Sequence, residues 1–156
     1  LLALDAGVEV VGPSGRRRAT VDDLVVTSRR PALAPGELIR SILLPESRPS
    51  AYLWQRIRPT QDVSHVGVAV AFSPGDGRWR IGLGGVPPRA IRIHPEAPEL
   101  PKRPSKALLD TAARLAADRL PLTTDLRATG EYRRHVVRAL VVRAVEAVAA
   151  TWGGTP

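Results

Sequence analysis

Along the first fifty residues, apolar positions come in short runs separated by turn chemistry. Residues 8–11 are β-branched apart from Glu9 and close on Gly12-Pro13-Ser14-Gly15, and extended structure resumes over 16–20, which predicts a hairpin. Residues 1–6 read as the end of a helix, and Val21-Asp22-Asp23-Leu24 as a helical turn or loop. Residues 38–44 follow Pro35-Gly36 and stop at Pro45, which suits a strand. Beyond 50 the pattern becomes strands joined by glycine turns. Residues 52–56 form one strand, and 63–72, apolar on both faces, a buried one. Ser73-Pro74-Gly75-Asp76-Gly77 then turns the chain into 79–83. Ile91 and Ile93 alternate with Arg92 and His94, giving a further short strand with one wet face.

The period then becomes helical. After a proline-rich loop over 95–104, the Ser105 hydroxyl can accept from a free amide of a first helical turn. Leu108, Leu109, Ala112, Leu115, Ala116 and Leu120 recur at helical spacing up to Pro121. A second helix starts near Thr129 and carries Val136, Val137, Leu140, Val141, Ala144, Val145 and Val148 to about 150. Strands followed by helices predict an α+β fold: an antiparallel sheet of three to four strands with two or three helices on one face. A connector over 46–50 divides the chain into residues 1–48 and 49–156.

Composition narrows the chemistry. With 156 residues, 44% hydrophobic and 24% charged, the chain has enough apolar content for a real core. No cysteine is present, so this segment holds no disulfide, thiolate metal site or iron–sulfur cluster, and redox work must use a cofactor. The absence also suits a cytoplasmic protein. No apolar run reaches the 18 or so residues of a membrane span, because Arg138 and Arg143 break the longest one. The net charge of +8 raises nucleic acid as a partner. Its cations are scattered arginines, with Lys102 and Lys106 the lysines, so we expect no nucleic-acid binding. The chain opens on Leu1 and contains no methionine, and we expect it to be cut from a longer polypeptide.

Catalytic constellations do not emerge. His65, His94 and His135 are too far apart for a single-element metal motif, and Ser64 beside His65 is not triad geometry. Gly82-Leu83-Gly84-Gly85 is followed by no helix, so it reads as a turn needing positive φ rather than a phosphate cradle. Asp125 complements the dipole of the second helix, and the arginines after Tyr132 stay solvated.

Three segments in fixed order carry more: Arg58-Pro59-Thr60-Gln61-Asp62-Val63-Ser64-His65 leading into a strand, Gly84-Gly85-Val86-Pro87-Pro88, and Arg127-Ala128-Thr129-Gly130-Glu131-Tyr132-Arg133-Arg134-His135. With Leu1-Leu2-Ala3-Leu4-Asp5-Ala6, Gly12-Pro13-Ser14-Gly15 and Leu33-Ala34-Pro35-Gly36-Glu37-Leu38, they resemble the C-terminal half of the medium, FAD-binding subunit of molybdenum hydroxylases. That is the family of carbon monoxide and xanthine dehydrogenase flavoproteins. The resemblance implies that 1–48 are the tail of an FAD-binding domain and 49–156 a separate flavoprotein C-terminal domain. It implies an oxidoreductase subunit that relays electrons from a molybdenum and iron–sulfur assembly to an acceptor, the fragment alone being inactive. The glycine-rich loops for the FAD pyrophosphate would lie upstream. Molybdopterin would sit on a large partner subunit and the iron–sulfur clusters on a small one. Near the flavin the resemblance places Ile39, Trp54 where the family has a lysine, and Asp62 in an acceptor-gating loop over 55–65. The alternatives are a non-catalytic interaction domain of the same fold and a basic nucleic-acid-binding module.

Overall fold

The computed structural model describes residues 1–27, 30–45, 47–60, 62–85, 90–93, 100–121 and 123–151. Gln61, His94, Trp152, the 86–88 part of the glycine turn and residues 95–99 of the proline-rich loop lie outside the described residues.

The first 45 residues build a small sheet. Strands β1 (Gly7–Gly12) and β2 (Gly15–Thr20) form the expected hairpin, with Gly12 opposite Gly15 and Gly15 at φ 109. The helical turn α1 (Val21–Leu24) follows, fixed by a capping box in which Thr20 and Asp23 satisfy each other's backbone amides. Two short strands, β3 (Val25–Thr27) and β4 (Arg30–Pro31), pair antiparallel. Strand β5 (Leu38–Leu43) lies along the free side of β1, giving the order β2-β1-β5. In residues 1–6, read as the end of a helix, a 3-10 turn, Leu2–Leu4, closes on Asp5 in the left-handed conformation, which an aspartate tolerates better than most side chains. Leu2, Ala6, Val8, Val10, Val21 and Leu24 make a compact core here, against which Ala90 also packs.

The larger unit is the predicted meander. Strands β6 (Ser50–Gln55), β7 (Val66–Ser73), β8 (Arg78–Gly84) and β9 (Ile91–Ile93) form one antiparallel sheet in chain order. Alternation sorts its faces. Val66, Val68, Val70, Phe72, Trp79, Ile81, Leu83 and Ile93 pack into the main core, where burying each aliphatic side chain contributes about 1.5–3 kcal/mol.

Helices α2 (Lys106–Asp118) and α3 (Gly130–Ala150) cover that face. Ser105 and Thr129 cap them by accepting from the Leu108 and Tyr132 amides. Their buried stripes, Leu109, Ala112, Ala113 and Ala116 on α2 and Val137, Leu140, Val141, Ala144, Val145 and Val148 on α3, complete the core. The α+β architecture expected from the pattern is present, with the two long helices on one face of a four-stranded antiparallel sheet.

The opposite face is lined by small residues: Ala69 and Ala71 on β7 and Gly82 on β8. A Cβ on Gly82 would meet the Ala3 nitrogen at 3.4 Å and the Leu2 Cβ at 3.5 Å, so its absence lets the Leu2–Leu4 turn sit close on the sheet. Here one expectation fails. The face of β9 carrying Arg92 is not wet, because Asp5 covers it and takes the Arg92 guanidinium at 2.7 Å.

Candidate functional site

Strand β6 is an edge strand with two different sides. Ala51 and Leu53 pack against the main core, so Tyr52 and Trp54 point away from the helices and are 54% and 44% exposed. Their rings stack with centroids 5.3 Å apart at 25°, and the Arg56 guanidinium lies 5.4 Å from the centre of the Trp54 ring. Gly67, opposite Trp54 in the register, leaves space for the Tyr52 ring; a Cβ there would lie 2.5 Å from the phenolic oxygen.

The next segment is a loop closed at its base by the His65 amide, which donates to the Gln55 carbonyl at 2.7 Å. This closure delays β7 until Val66, three residues later than the apolar pattern suggests. Asp62 is the staple of the loop. Its Oδ2 accepts from the Ile57 and Arg58 amides, both at 2.9 Å, and Oδ1 lies 3.8 Å from Arg58 Nη2. The hydrogen bond from the Arg58 amide leads in holding this carboxyl below the usual aspartate range; partial burial opposes it and the Ile57 amide assists. Replacing Asp62 with Ala is expected to speed amide hydrogen exchange at Ile57 and Arg58 about tenfold, by freeing both donors. Unchanged exchange at both would show that the loop holds without its carboxylate.

His65 is 5% exposed, its ring meets Tyr132 edge-on at 6.4 Å and 73°, and its Nδ1 has no hydrogen-bond partner among the described residues. Gly85 turns beneath it at φ 73, the positive φ expected from the sequence; a Cβ there would stand 3.0 Å from the Ser64 carbonyl oxygen. His135 is exposed on α3.

Ile39 sits elsewhere, on β5 opposite the buried Val10, and is 50% exposed. Leu38, Ile42, Leu43 and Leu44 are also exposed, so β5 carries an open apolar surface beside the small core. Trp54 and Asp62 thus share one strand-and-loop unit while Ile39 belongs to the other sheet. Among the described residues no hydrogen bond, ion pair or ring contact joins any two of the three.

Two charge arrangements were not legible from spacing. Asp5 receives Arg48 Nη1 at 3.0 Å, Arg92 Nη1 at 2.7 Å and the Arg80 Nε, and Arg80 also pairs with Asp76 at 2.7 Å. These residues come from the first turn, the connector, β8 and β9, so only the fold brings them together. Arg133 is the second, and it corrects the expectation of solvated arginines: it is 3% exposed and paired with Asp125 at 2.7 Å. Among the described residues no group of three or more histidine or acidic side chains could hold a metal ion, and no helix is long and apolar enough to cross a membrane.

Residues 51–148 match the family model of the CO dehydrogenase flavoprotein C-terminal domain. The chain belongs to this family. The CO dehydrogenase flavoprotein C-terminal domain thus covers the meander and both long helices. The chain is 34% identical over 153 residues to the nicotine 6-hydroxylase medium subunit of Paenarthrobacter nicotinovorans, covering 93% of this chain and 53% of that one. It is 33% identical over 116 residues to the aldehyde oxidoreductase FAD-binding subunit PaoB of Escherichia coli K12, covering 69% of this chain and 36% of PaoB. The chain therefore spans about half of the first relative and less of the second. Among solved structures, carbon monoxide dehydrogenase from Hydrogenophaga pseudoflava superposes with TM-score 0.81 at 26% identity, over 96% of this chain and 54% of that one. Quinoline 2-oxidoreductase from Pseudomonas putida 86 shares the fold, with TM-score 0.82 at 22% identity. The resemblance to medium, FAD-binding subunits of molybdenum hydroxylases is borne out.

Proposed function

We propose that this chain is the C-terminal part of an FAD-binding subunit that relays electrons from a molybdenum and iron–sulfur assembly to an acceptor. On this reading residues 1–48 are the tail of the FAD-binding domain and 49–156 the flavoprotein C-terminal domain. A molybdopterin-binding large subunit and an iron–sulfur small subunit are the partners. The observation that carries the proposal is the exposed Tyr52–Trp54 shelf beside the Asp62 loop, in a chain of this family.

The residues present fit one end of FAD and not the other. An aromatic shelf on β6 and the open apolar face of β5 with Ile39 suit a planar ring system, which buries apolar area and takes edge or face contacts. No phosphate cradle accompanies them at the starts of the two long helices, because Ser105 and Thr129 already occupy amides of those first turns. The pyrophosphate would be gripped by polypeptide outside these residues. When bound, FAD supplies the electron-carrying chemistry. What this chain adds is a wall that excludes water, through Ile39 and Trp54, and a loop held in shape by Asp62.

The test is to express the intact gene product and record its visible spectrum. Flavin absorbance in proportion to protein is expected, and a colourless folded product would overturn the proposal. Asp62→Ala in the same protein is expected to change both the flavin potential and the preference among acceptors; if neither moves, the role given to Asp62 is withdrawn.

A further inference from the structure

Trp54 has neighbours on its own side of the strand. Positions i−2 and i+2 lie on the same side of the chain as residue i, and here Tyr52 stacks with Trp54 while the Arg56 guanidinium, just past the end of β6, lies 5.4 Å from the centre of the indole. What this ladder presents at its loop end is a guanidinium. Arg56 is half-buried, and among the described residues no carboxylate pairs with it. The other partly buried arginines have acceptors for their guanidiniums: Arg48, Arg80, Arg92 and Arg133 hold aspartates, and Arg134 donates to the Leu120 carbonyl. The acid next along the chain, Asp62, is committed to the Ile57 and Arg58 amides and leans on the Arg58 side chain. A guanidinium left without a carboxylate is free to meet negative charge brought by a ligand. The indole fixes where that charge is met, because cation–π contact restrains an otherwise flexible side chain.

We infer that Arg56, held in place by Trp54, is the cation that meets the negative charge a flavin ring gains on reduction, and that it thereby raises the flavin potential. Trp54 is then a positioning residue acting through Arg56. The inference rests on the flavin reading above and adds the residue that tunes the ring.

A potentiometric titration of the full-length flavoprotein, followed by flavin absorbance, tests it. Arg56→Gln is expected to shift the two-electron equilibrium about tenfold toward the oxidised ring, which is a fall of about 30 mV. Arg56→Lys is expected to stay near the wild-type potential, and Trp54→Ala to fall in the same direction as Arg56→Gln. A potential that is unchanged or raised in Arg56→Gln overturns the inference, as does Trp54→Ala at the wild-type value. Should Arg56→Gln fail to fold, Arg56→Lys and Trp54→Ala decide between the same outcomes. A wild-type protein without flavin would defeat the functional reading itself, whereas a flavin-loaded protein indifferent to Arg56 defeats only this inference.

Discussion

Replacing Asp5 with Ala is expected to destabilise the protein by about 3 kcal/mol, the lower end of what is lost when one partner of a buried ion pair is removed. For a chain of this size that corresponds to a melting temperature lower by roughly 6–12 °C. One carboxylate holds three guanidiniums, and their side chains are 18%, 17% and 14% exposed, so water replaces little of what is lost. Arg80 keeps Asp76, whose carboxyl it holds well below the usual range, but Arg48 and Arg92 lose their ion pairs. Two effects add to this. Asp5 is left-handed at φ 52, where Ala pays a steric penalty of about 1–2 kcal/mol that Asn largely avoids. The Leu2–Leu4 turn, seated over Gly82, would also lose its anchor. Asp5→Asn should therefore fall between wild type and Asp5→Ala. A thermal melt of Asp5→Ala within about 0.5 kcal/mol of wild type, the range of ordinary surface changes, would show that the cluster is only decoration.

This cluster marks the limit of what the sequence discloses. Period and punctuation are local, so the Gly12-Pro13-Ser14-Gly15 hairpin, the meander from β6 to β8, and the helices capped by Ser105 and Thr129 could all be read residue by residue. Family motifs extended that to the flavoprotein assignment. Contacts set by tertiary placement could not be read in this way. Nothing local distinguishes Arg92, covered by Asp5, from a solvated strand arginine. Likewise the apolar look of residues 63–65 suggested strand, while the His65–Gln55 closure and the Asp62 staple make them loop. Of the candidate site, Trp54 and Asp62 were placed by position in a motif, but the Tyr52–Trp54–Arg56 ladder needed the strand's side-chain direction. Its one sequence signal is the i, i+2, i+4 spacing of two aromatics and an arginine on a half-exposed strand.

Arg133 shows the same limit on a helix, and it carries the other large expected effect. Its neighbours Arg134 and His135 belong to the same polar run, yet α3 points Arg133 into the turn preceding it. There Nη1 donates to the Thr123 carbonyl and Nη2 to Asp125 Oδ2 at 2.7 Å. Asp125 in turn accepts from the Arg127 and Ala128 amides at 2.8 and 3.1 Å, so one carboxylate ties the turn to the first residues of the helix. Arg133→Met keeps much of the buried stem but removes the guanidinium, stranding the carbonyl and the acid. A loss of about 2–3 kcal/mol is expected, as for truncating a charge-assisted network at a buried position. The pH dependence separates this from a packing defect. Arg133, ahead of the Arg127 and Ala128 amides, holds the Asp125 carboxyl down at about 2 from an ordinary 3.8. A carboxyl depressed by folding stabilises above its unfolded value, and that contribution disappears as pH falls from about 4 toward 2. Acid titration of wild-type stability should therefore steepen across that window, and the Arg133→Met curve should be flatter there. Parallel curves would mean that the guanidinium matters for packing alone and that Asp125 is held by its amides.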